Sequence, residues 1–570
     1  MDIPNLASIT NPGAIADVEI NVGYEMLGSS DWSGAEAHFR SVLALRETPE
    51  AWEGLGLALW WRNDLEEMFS IRERAYALYR AAGNRRGAGR VALWLAWDYL
   101  GILGQMAVAN GWMQRAHNLL DDLHPCGEQG WLALRESENA ILWDNDPVTA
   151  RALAAKGADI GRALGLIDLE MFGLALEGFT LVSEGKVDQG MRRLDEATAA
   201  AISGEMSNVT AIGATCCCLI FACERVYDYD RALQWCERLK DYCERISYVP
   251  LLGVCRSHYA GMLLWSGAWK QAEEELAEAT RILQATRPAF LAEAIVRQGF
   301  LRFQQGRLDE AVLLFEQSSY FPHAQLGLGQ LALDLGEAES ALDYARRYLR
   351  QIPTENLTTQ VEGLELMARA HLALANFDEA KATCDKLAAI AREVETAPLL
   401  AISNLITGLV AAATGDHDSA RNYLEDASDL FARSSAPYEM GRARLALARS
   451  LGSLGRLSAA EREAQVALQA FRELGAERQV AHAEALLHHL QHLRNAPSAQ
   501  EAGSHKLQLL SERQLEVLKL IAQGRGDQEI ADWLSLSPHT VHRHVTNILS
   551  RLDVSSRAAA VAYAAREGLL

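Results

Sequence analysis

This chain is short of positive charge, of long apolar runs, of paired-cysteine motifs and of any phosphate-binding loop. Its 570 residues carry 54 Lys and Arg against 75 Asp and Glu, a formal net charge of −21. That excludes a protein that coats nucleic acid with its whole surface. The most extended apolar run, around Ala211–Ala222, is cysteine-rich and too short to span a bilayer, so no membrane segment is expected. The opening residues MDIPNLASITNPG have neither a basic n-region nor an apolar h-region, so no secretory signal is expected. Nine cysteines are present, seven of them between Cys216 and Cys255, with no CxxC pair. They read as reduced, buried thiols in a cytoplasmic protein. Arg far outnumbers Lys and Ala is abundant, which points to a bacterial genome rich in G and C. Nothing alternates strand with helix. The nearest imitation of a phosphate loop, Gly83–Arg90, lacks the Lys-Ser/Thr pair. No nucleophile–base pair or paired-carboxylate motif stands out, so no enzyme activity, cofactor or metal is expected.

What is present is a repeat. A small or turn residue is followed at +5 by a small residue and at +9 and +12 by apolar or small ones. The pattern is cleanest from Gly306 (Ala311, Phe315, Ser318), Gly415 (Ala420, Leu424, Ala427) and Gly455 (Ala460, Ala464, Ala467). Further copies start at Gly185, Gly267 and Gly336, and weaker ones at Ser30, Gly111, Tyr227 and Ala375. Each copy predicts a helix ending at the turn and a second helix packed closely back on it through the small +5 residue. A single pair cannot bury its apolar face, so about a dozen pairs between residues 15 and 475 should stack into a superhelix. Residues 476–494 would close it, and NAPSAQEAGSHKLQ reads as an interdomain linker.

The last sixty residues differ in kind. From Lys506 onward 8 Lys and Arg meet 7 Asp and Glu, so almost all the negative charge lies before them. Ser511 with Gln514 forms a capping box for a first helix, with Leu515, Leu518, Ile521 and Ala522 as its expected buried stripe. A second helix starts near Gly526–Asp527 and carries Ile530, Ala531 and Leu534. After the turn Ser535–Ser537, Pro538 opens a third helix with Ser537 as its N-cap. Its apolar stripe is Val541, Val545, Ile548, Leu549 and Leu552. At about 100° per residue, Arg543 and Ser550 point directly away from that stripe. His542, Arg543 and Thr546 are therefore the candidate base readers. Ser537, His539, Thr540 and Asn547 are better placed for phosphates.

These residues carry a family resemblance. Leu510-Ser511-x-Arg513, Glu516-Val517-Leu518, Gly524, Glu529-Ile530-Ala531, Leu536-Ser537, Thr540-Val541-x-x-His544-Val545, Asn547-Ile548-Leu549 and Leu552-x-Val554 resemble the LuxR-type (NarL/FixJ-like) helix-turn-helix domain. The resemblance covers nearly all of 507–570. It implies a helix-turn-helix core at 527–546, double-stranded DNA as partner, and a homodimer formed on DNA through a fourth helix at 556–567. The family's DNA-reading positions fall on His542, Arg543 and Thr546. Two departures, Gly526-Asp527-Gln528 for Ser-Asn-Lys and Thr540-Val541-His542 for Thr-Val-Lys, each remove a lysine. The repeats at 1–494 resemble tetratricopeptide repeats, with Trp52-x-x-Leu55-Gly56 matching their first-helix signature and a period nearer 40 than the standard length of about 34. The combination is similar to large MalT-like regulators without their ATPase module, and no receiver domain is visible.

The expected fold is therefore all-α: a tetratricopeptide-like solenoid (1–494), a linker (495–506) and a four-helix reader (507–570). The expected function is sequence-specific transcriptional regulation, governed by an effector or protein bound to the repeats. The competing reading is a protein–protein adaptor with a vestigial or protein-docking reader. Nine of the thirteen tryptophans lie between Trp32 and Trp143, which suits packing better than a ligand pocket. Cys216–Cys218 with Cys223 read as buried filler rather than a redox or metal site. His488 and His492, four apart, read as a solvated face.

Overall fold

A computed structural model describes residues 12–246, 249–495, 510–552, 554 and 556–566. Among them are twenty-nine α-helices, numbered α1 to α29 in chain order, and no strand. The chain forms two compact units, Met1–Arg494 and Asn495–Leu570. Beyond Asn495, the linker expected at 495–506 falls outside the described residues, as do residue 567 and the side chain of Cys243.

The first unit holds twelve helix pairs and a closing helix, α25 (Glu477–Asn495). First helices of successive pairs start at Ile167, Val209, Val249 and Leu291, steps of 40 to 42 residues, while the pair from Leu291 to Pro322 takes only 31. Local sequence explains the ends. At α3 (Pro49–Arg62), Thr48 accepts a hydrogen bond from the Ala51 amide and Pro49 sits where a missing N–H costs nothing.

The turn residues have the predicted role. Gly185, Gly267, Gly306, Gly336, Gly415 and Gly455 all have φ between 72° and 87°, and Ser30, Tyr227 and Ala375 share that left-handed geometry. Gly111 does not: it lies inside α6 (Met106–Leu120), and the turn of that pair is made by Gly104 at φ 67°. Asn63 and Asn145 make two further left-handed turns that the glycine-led pattern passes over. The +5 residues Ala35, Ala232, Ala272, Ala311, Ala341, Ala380, Ala420 and Ala460 are fully buried. Large rings fill the next positions on the same face. Phe39, Phe315 and Phe471 have no exposure, and each abuts glycines of flanking first helices: Gly23 and Gly54, Gly299 and Gly327, and Gly441 respectively. A ring seated where a neighbour lacks Cβ brings two helix axes close and buries about 1.5–3 kcal/mol of apolar side chain each time.

Distant repeats also touch. Asn63 Nδ2 donates to the Ala285 carbonyl at 3.2 Å, the Ala289 amide to the Ile102 carbonyl at 3.2 Å, and Asn356 Nδ2 to the Asn145 carbonyl at 3.1 Å. Tyr227 Oη donates to Glu362 at 3.1 Å, and Trp265 Nε1 to the Ser434 carbonyl at 2.9 Å. These contacts join residues 135 to 222 apart in sequence, so the superhelix meets its own next turn. Helix α11 (Val209–Val226) has a mean hydropathy of 1.6 over 18 residues, long and apolar enough to cross a membrane, but 61% of it is buried within the repeats.

Candidate nucleic-acid interface

The second unit contains α26 (Glu512–Ala522), α27 (Asp527–Leu534), α28 (Pro538–Leu552) and α29 (Arg557–Arg566). Its core is Val517, Leu518, Leu520, Ile530, Ala531, Val541, Val545, Ile548, Leu552, Ala560 and Ala564. The stripe of α26 differs from the expected one. Leu515 and Ile521 are only half-buried and Ala522 is exposed, whereas Gln514, Val517, Leu518 and Leu520 are buried. A buried glutamine needs partners. Gln514 receives the Ser511 amide at 3.1 Å in the capping box and also accepts from Arg551 of α28. This tie between α26 and α28 carries no periodic signal that a helical wheel detects.

Helix α28 begins as predicted. Ser537 Oγ accepts the Thr540 amide at 3.0 Å and lies 2.7 Å from Thr540 Oγ1, so one of the two hydroxyl protons is spent in the cap and the other stays available. The connection to α27 is tight, with Ser535 at φ 54°. Ser537, His539, His542, Thr546 and Ser550 are exposed, while Thr540, Arg543 and Asn547 are half-buried. The solvent stripe thus runs His539–His542–Thr546–Ser550. Arg543, placed by the wheel at its centre, sits on its flank. The wheel assumes one packed face, but α28 is packed by α26, α27 and α29 on different sides, which rotates the open face by roughly one residue. His542 and Thr546 are the exposed two of the three base-reader candidates, the His542 side chain 69% exposed. Thr546 Oγ1 donates to the His542 carbonyl at 3.0 Å, which leaves its lone pairs outward.

One charged neighbour of α28 escaped the helical wheel. Asp527 opens α27, where a carboxylate complements the helix dipole. It pairs with Arg557 of α29 and lies 3.6 Å from His542 Nδ1. The pairing locks α29 to α27 and sets a negative charge beside the recognition helix. The Asp at this position, where the family often has Asn, was the available signal. Arg525 lies over the Trp533 ring at 4.3 Å, next to an indole 65% exposed.

Residues 508–564 match the family model described as bacterial regulatory proteins, luxR family. The C-terminal unit is a LuxR-type helix-turn-helix domain. Residues 359–433 match a tetratricopeptide repeat model, so the helical pairs before it include tetratricopeptide repeats. The LuxR-type segment is 49% identical over 61 residues to transcriptional regulatory protein LiaR of Bacillus subtilis, covering 11% of this chain and 29% of that protein. It is 46% identical over 63 residues to response regulator protein VraR of Staphylococcus aureus, covering 11% and 30%. The chain therefore spans less than a third of the length of these curated relatives. Among solved structures, the APC/C hetero-tetramer Cut9–Hcn1 aligns with a TM-score of 0.45 and 14% identity, covering 81% of this chain and 92% of that one. Yeast Tom70 aligns at a TM-score of 0.31 and 15% identity, covering 85% and 98%.

The tryptophan and cysteine clusters resolve as packing, and His488 and His492 lie on an exposed face. Trp60 is fully buried and Trp32 stacks on Trp61 at 4.4 Å. Cys216, Cys218 and Cys223 are buried, and burial pushes the Cys218 and Cys223 thiols well up, away from reactive thiolates. His488 and His492 have ring centroids 4.5 Å apart. Glu224, His258 and Glu293 offer ligand atoms within 4.8 Å of one another. Arg297 already lies among them, 2.8 Å from Glu224 and 2.7 Å from Glu293, supplying the positive charge that a metal would bring.

Proposed function

We propose that this chain is a cytoplasmic, sequence-specific DNA-binding transcriptional regulator, its repeats at 1–494 joined through 495–506 to a reader at 507–570. The observation that carries the reading is the exposed polar stripe His539–His542–Thr546–Ser550 on a helix whose opposite face is packed, inside a LuxR-type domain. His542 and Thr546 read base edges, and Arg543 reaches in from the flank. Ser537, His539, Thr540 and Asn547 hold the phosphates beside the N-terminus of α28, where backbone N–H groups favour anions. Two readers pair on DNA through 556–567, and an effector or protein on the repeats controls when they do.

The test is selection of bound sequences from a random duplex library with the full chain. A defined enriched site is expected, and His542→Ala or Thr546→Ala should relax it at one or two positions at a cost of about 1–3 kcal/mol each. Failure of the wild type to enrich any sequence at low salt overturns the regulator reading in favour of a protein-docking adaptor. An unchanged site in both variants overturns only the assignment of the readers.

A further inference from the structure

The superhelix encloses a cavity of about 110 Å3 between the first helices of five successive pairs and the short turn Pro288–Phe290. Its walls are mainly aromatic and aliphatic, with Trp97, Phe179, Phe221 and Phe290 among them, Glu138, Asn139 and Thr210 add polar groups, and Trp143 stands at its rim, 38% exposed. Most of the Trp-rich segment is packing, but Trp97 and Trp143 face this space.

Two charged groups line it, Glu138 and Arg287, and Glu138 is already paired with Arg135. Arg287 is 3% exposed. Its Nη1 donates to the Thr286 carbonyl at 2.8 Å and its guanidinium lies over the Trp60 ring at 4.7 Å. Nη2 has no hydrogen-bond partner. The nearby buried charges are already matched. Arg72 pairs with Asp98 at 3.1 Å, Trp60 Nε1 donates to Asp98 at 2.9 Å, and Arg135 pairs with Glu138. Among the described residues no carboxylate lies within ion-pair distance of Arg287; Asp98, buried nearby, feels its charge but already pairs with Arg72. A buried charge with an unused donor is costly, and the natural complement is an anion that brings its own oxygens.

We infer that this cavity is a binding site for a small apolar monocarboxylate, its carboxylate on Arg287 and its ring or compact hydrocarbon body between the aromatic walls. The walls exclude polyanions and sugars, which have too few apolar atoms to repay desolvation here. Size sets the other limit: an apolar cavity of about 150 Å3 accommodates benzene, and this one is smaller but open at the Trp143 rim, so a single ring or a short branched chain is the upper bound. The inference names the ligand class for the effector in the proposed function and rests on that reading only where control of DNA binding is concerned. The ligand's contact with five successive first helices, and with a turn brought in from the next superhelical turn, would stiffen the stretch where the superhelix meets itself.

The test uses the full chain and benzoate, with benzamide as the uncharged isostere and inorganic phosphate as the anion without an apolar body. Binding is read from tryptophan fluorescence, from calorimetry and from alkylation of Cys217, the half-buried thiol in the lining. Benzoate should bind and slow Cys217 alkylation, while benzamide and phosphate do neither. Arg287→Gln should weaken benzoate by about tenfold or more, the worth of a charge-assisted hydrogen bond in a dry site. Ala214→Phe fills the cavity from another wall and should abolish binding with Arg287 intact. No benzoate binding at millimolar concentration, benzamide binding as well as benzoate, or full binding by Ala214→Phe would each overturn the site. Benzoate binding in a chain that selects no DNA sequence sinks the regulator reading and leaves the site standing.

Discussion

Adding the same methyl group to two helical glycines should move stability in opposite directions. Gly327 lies in the helix Pro322–Asp334, and a Cβ built there would sit 2.4 Å from both Cε1 and Cζ of Phe315. Phe315 has no exposure, and from the other side a Cβ on Gly299 would lie 2.6 Å from the same Cε1. Carbon atoms rest at about 3.5–4.0 Å, so the ring or a helix must move by about 1 Å with no free volume to enter. Overpacking costs about 1–3 kcal/mol and alanine's helical preference returns about 1 kcal/mol, so Gly327→Ala should lose up to about 2 kcal/mol. Gly111 sits exposed within α6 with nothing within 4 Å of its would-be Cβ, so Gly111→Ala should gain about 1 kcal/mol from helical preference alone. Repeat arrays do not unfold as one two-state unit. The assay is therefore hydrogen exchange resolved by fragment, alongside urea melts followed by circular dichroism. Protection should fall at 291–305 and 322–334 in the first variant and rise at 106–120 in the second. Phe315→Leu in the Gly327→Ala background should recover part of the loss, a coupling of about 0.5–3 kcal/mol. Undiminished protection in Gly327→Ala, or simple additivity with Phe315→Leu, would refute the ring-on-glycine account.

Three more expectations concern charge. Asp527→Asn removes the carboxylate between Arg557 and His542, so DNA affinity should rise while the melting temperature of the reader falls slightly, a surface pair being worth about 0–1 kcal/mol; unchanged affinity would clear Asp527 of any part in DNA binding. His542→Lys restores one cation to the recognition helix and should steepen the dependence of log K on log salt by about 0.9, measured by fluorescence anisotropy; an unaltered slope would place residue 542 off the phosphates. Acid should act on the buried cluster around Arg297. Burial would raise the Glu293 carboxyl, but His258 and Arg297 beside it hold it down at about 2 against an ordinary 4.5. Glu224, also pushed up by burial, is held low by Arg297 and His258. A depressed carboxylate stabilises the fold above its unfolded value and loses that contribution as pH falls through its folded value. Helicity of the repeats should therefore fall between about pH 4.5 and 2, and a transition completed above pH 4.5 would contradict the pairing.

Much of this molecule was legible in the chain alone, wherever the physics is local. Turn glycines, the alanine five residues on and the ring after it specify a helix pair because each acts within one or two helical turns. The capping box at Ser511, the cap at Ser537 and the inward stripe of α28 are of the same kind, and so is the LuxR-type register. Where the reading slipped, a contact from elsewhere had intervened. Gly111 stands in a helix because Gly104 had already made the turn. Gln514 is buried because Arg551, on another helix, completes its hydrogen bonds. Arg543 is half-covered because three helices, not one, pack around α28.

The closing of the superhelix on itself was beyond any local reading. Each helix pair adds a small rotation to the last, and only their sum over several repeats decides which turn meets which. That sum brings Asn63 to Ala285 and the Ile102 carbonyl to the Ala289 amide. It also carries Arg287, unremarkable in sequence, over Trp60 and, with Phe290, into a pocket whose other walls come from residues 97 to 254. Sequence by itself determined the helical pairs and the inward stripe of α28, since both follow from periodicity and neighbouring side chains. Tertiary structure alone decided which charges became buried together, and it left Nη2 of Arg287 there without a hydrogen-bond partner.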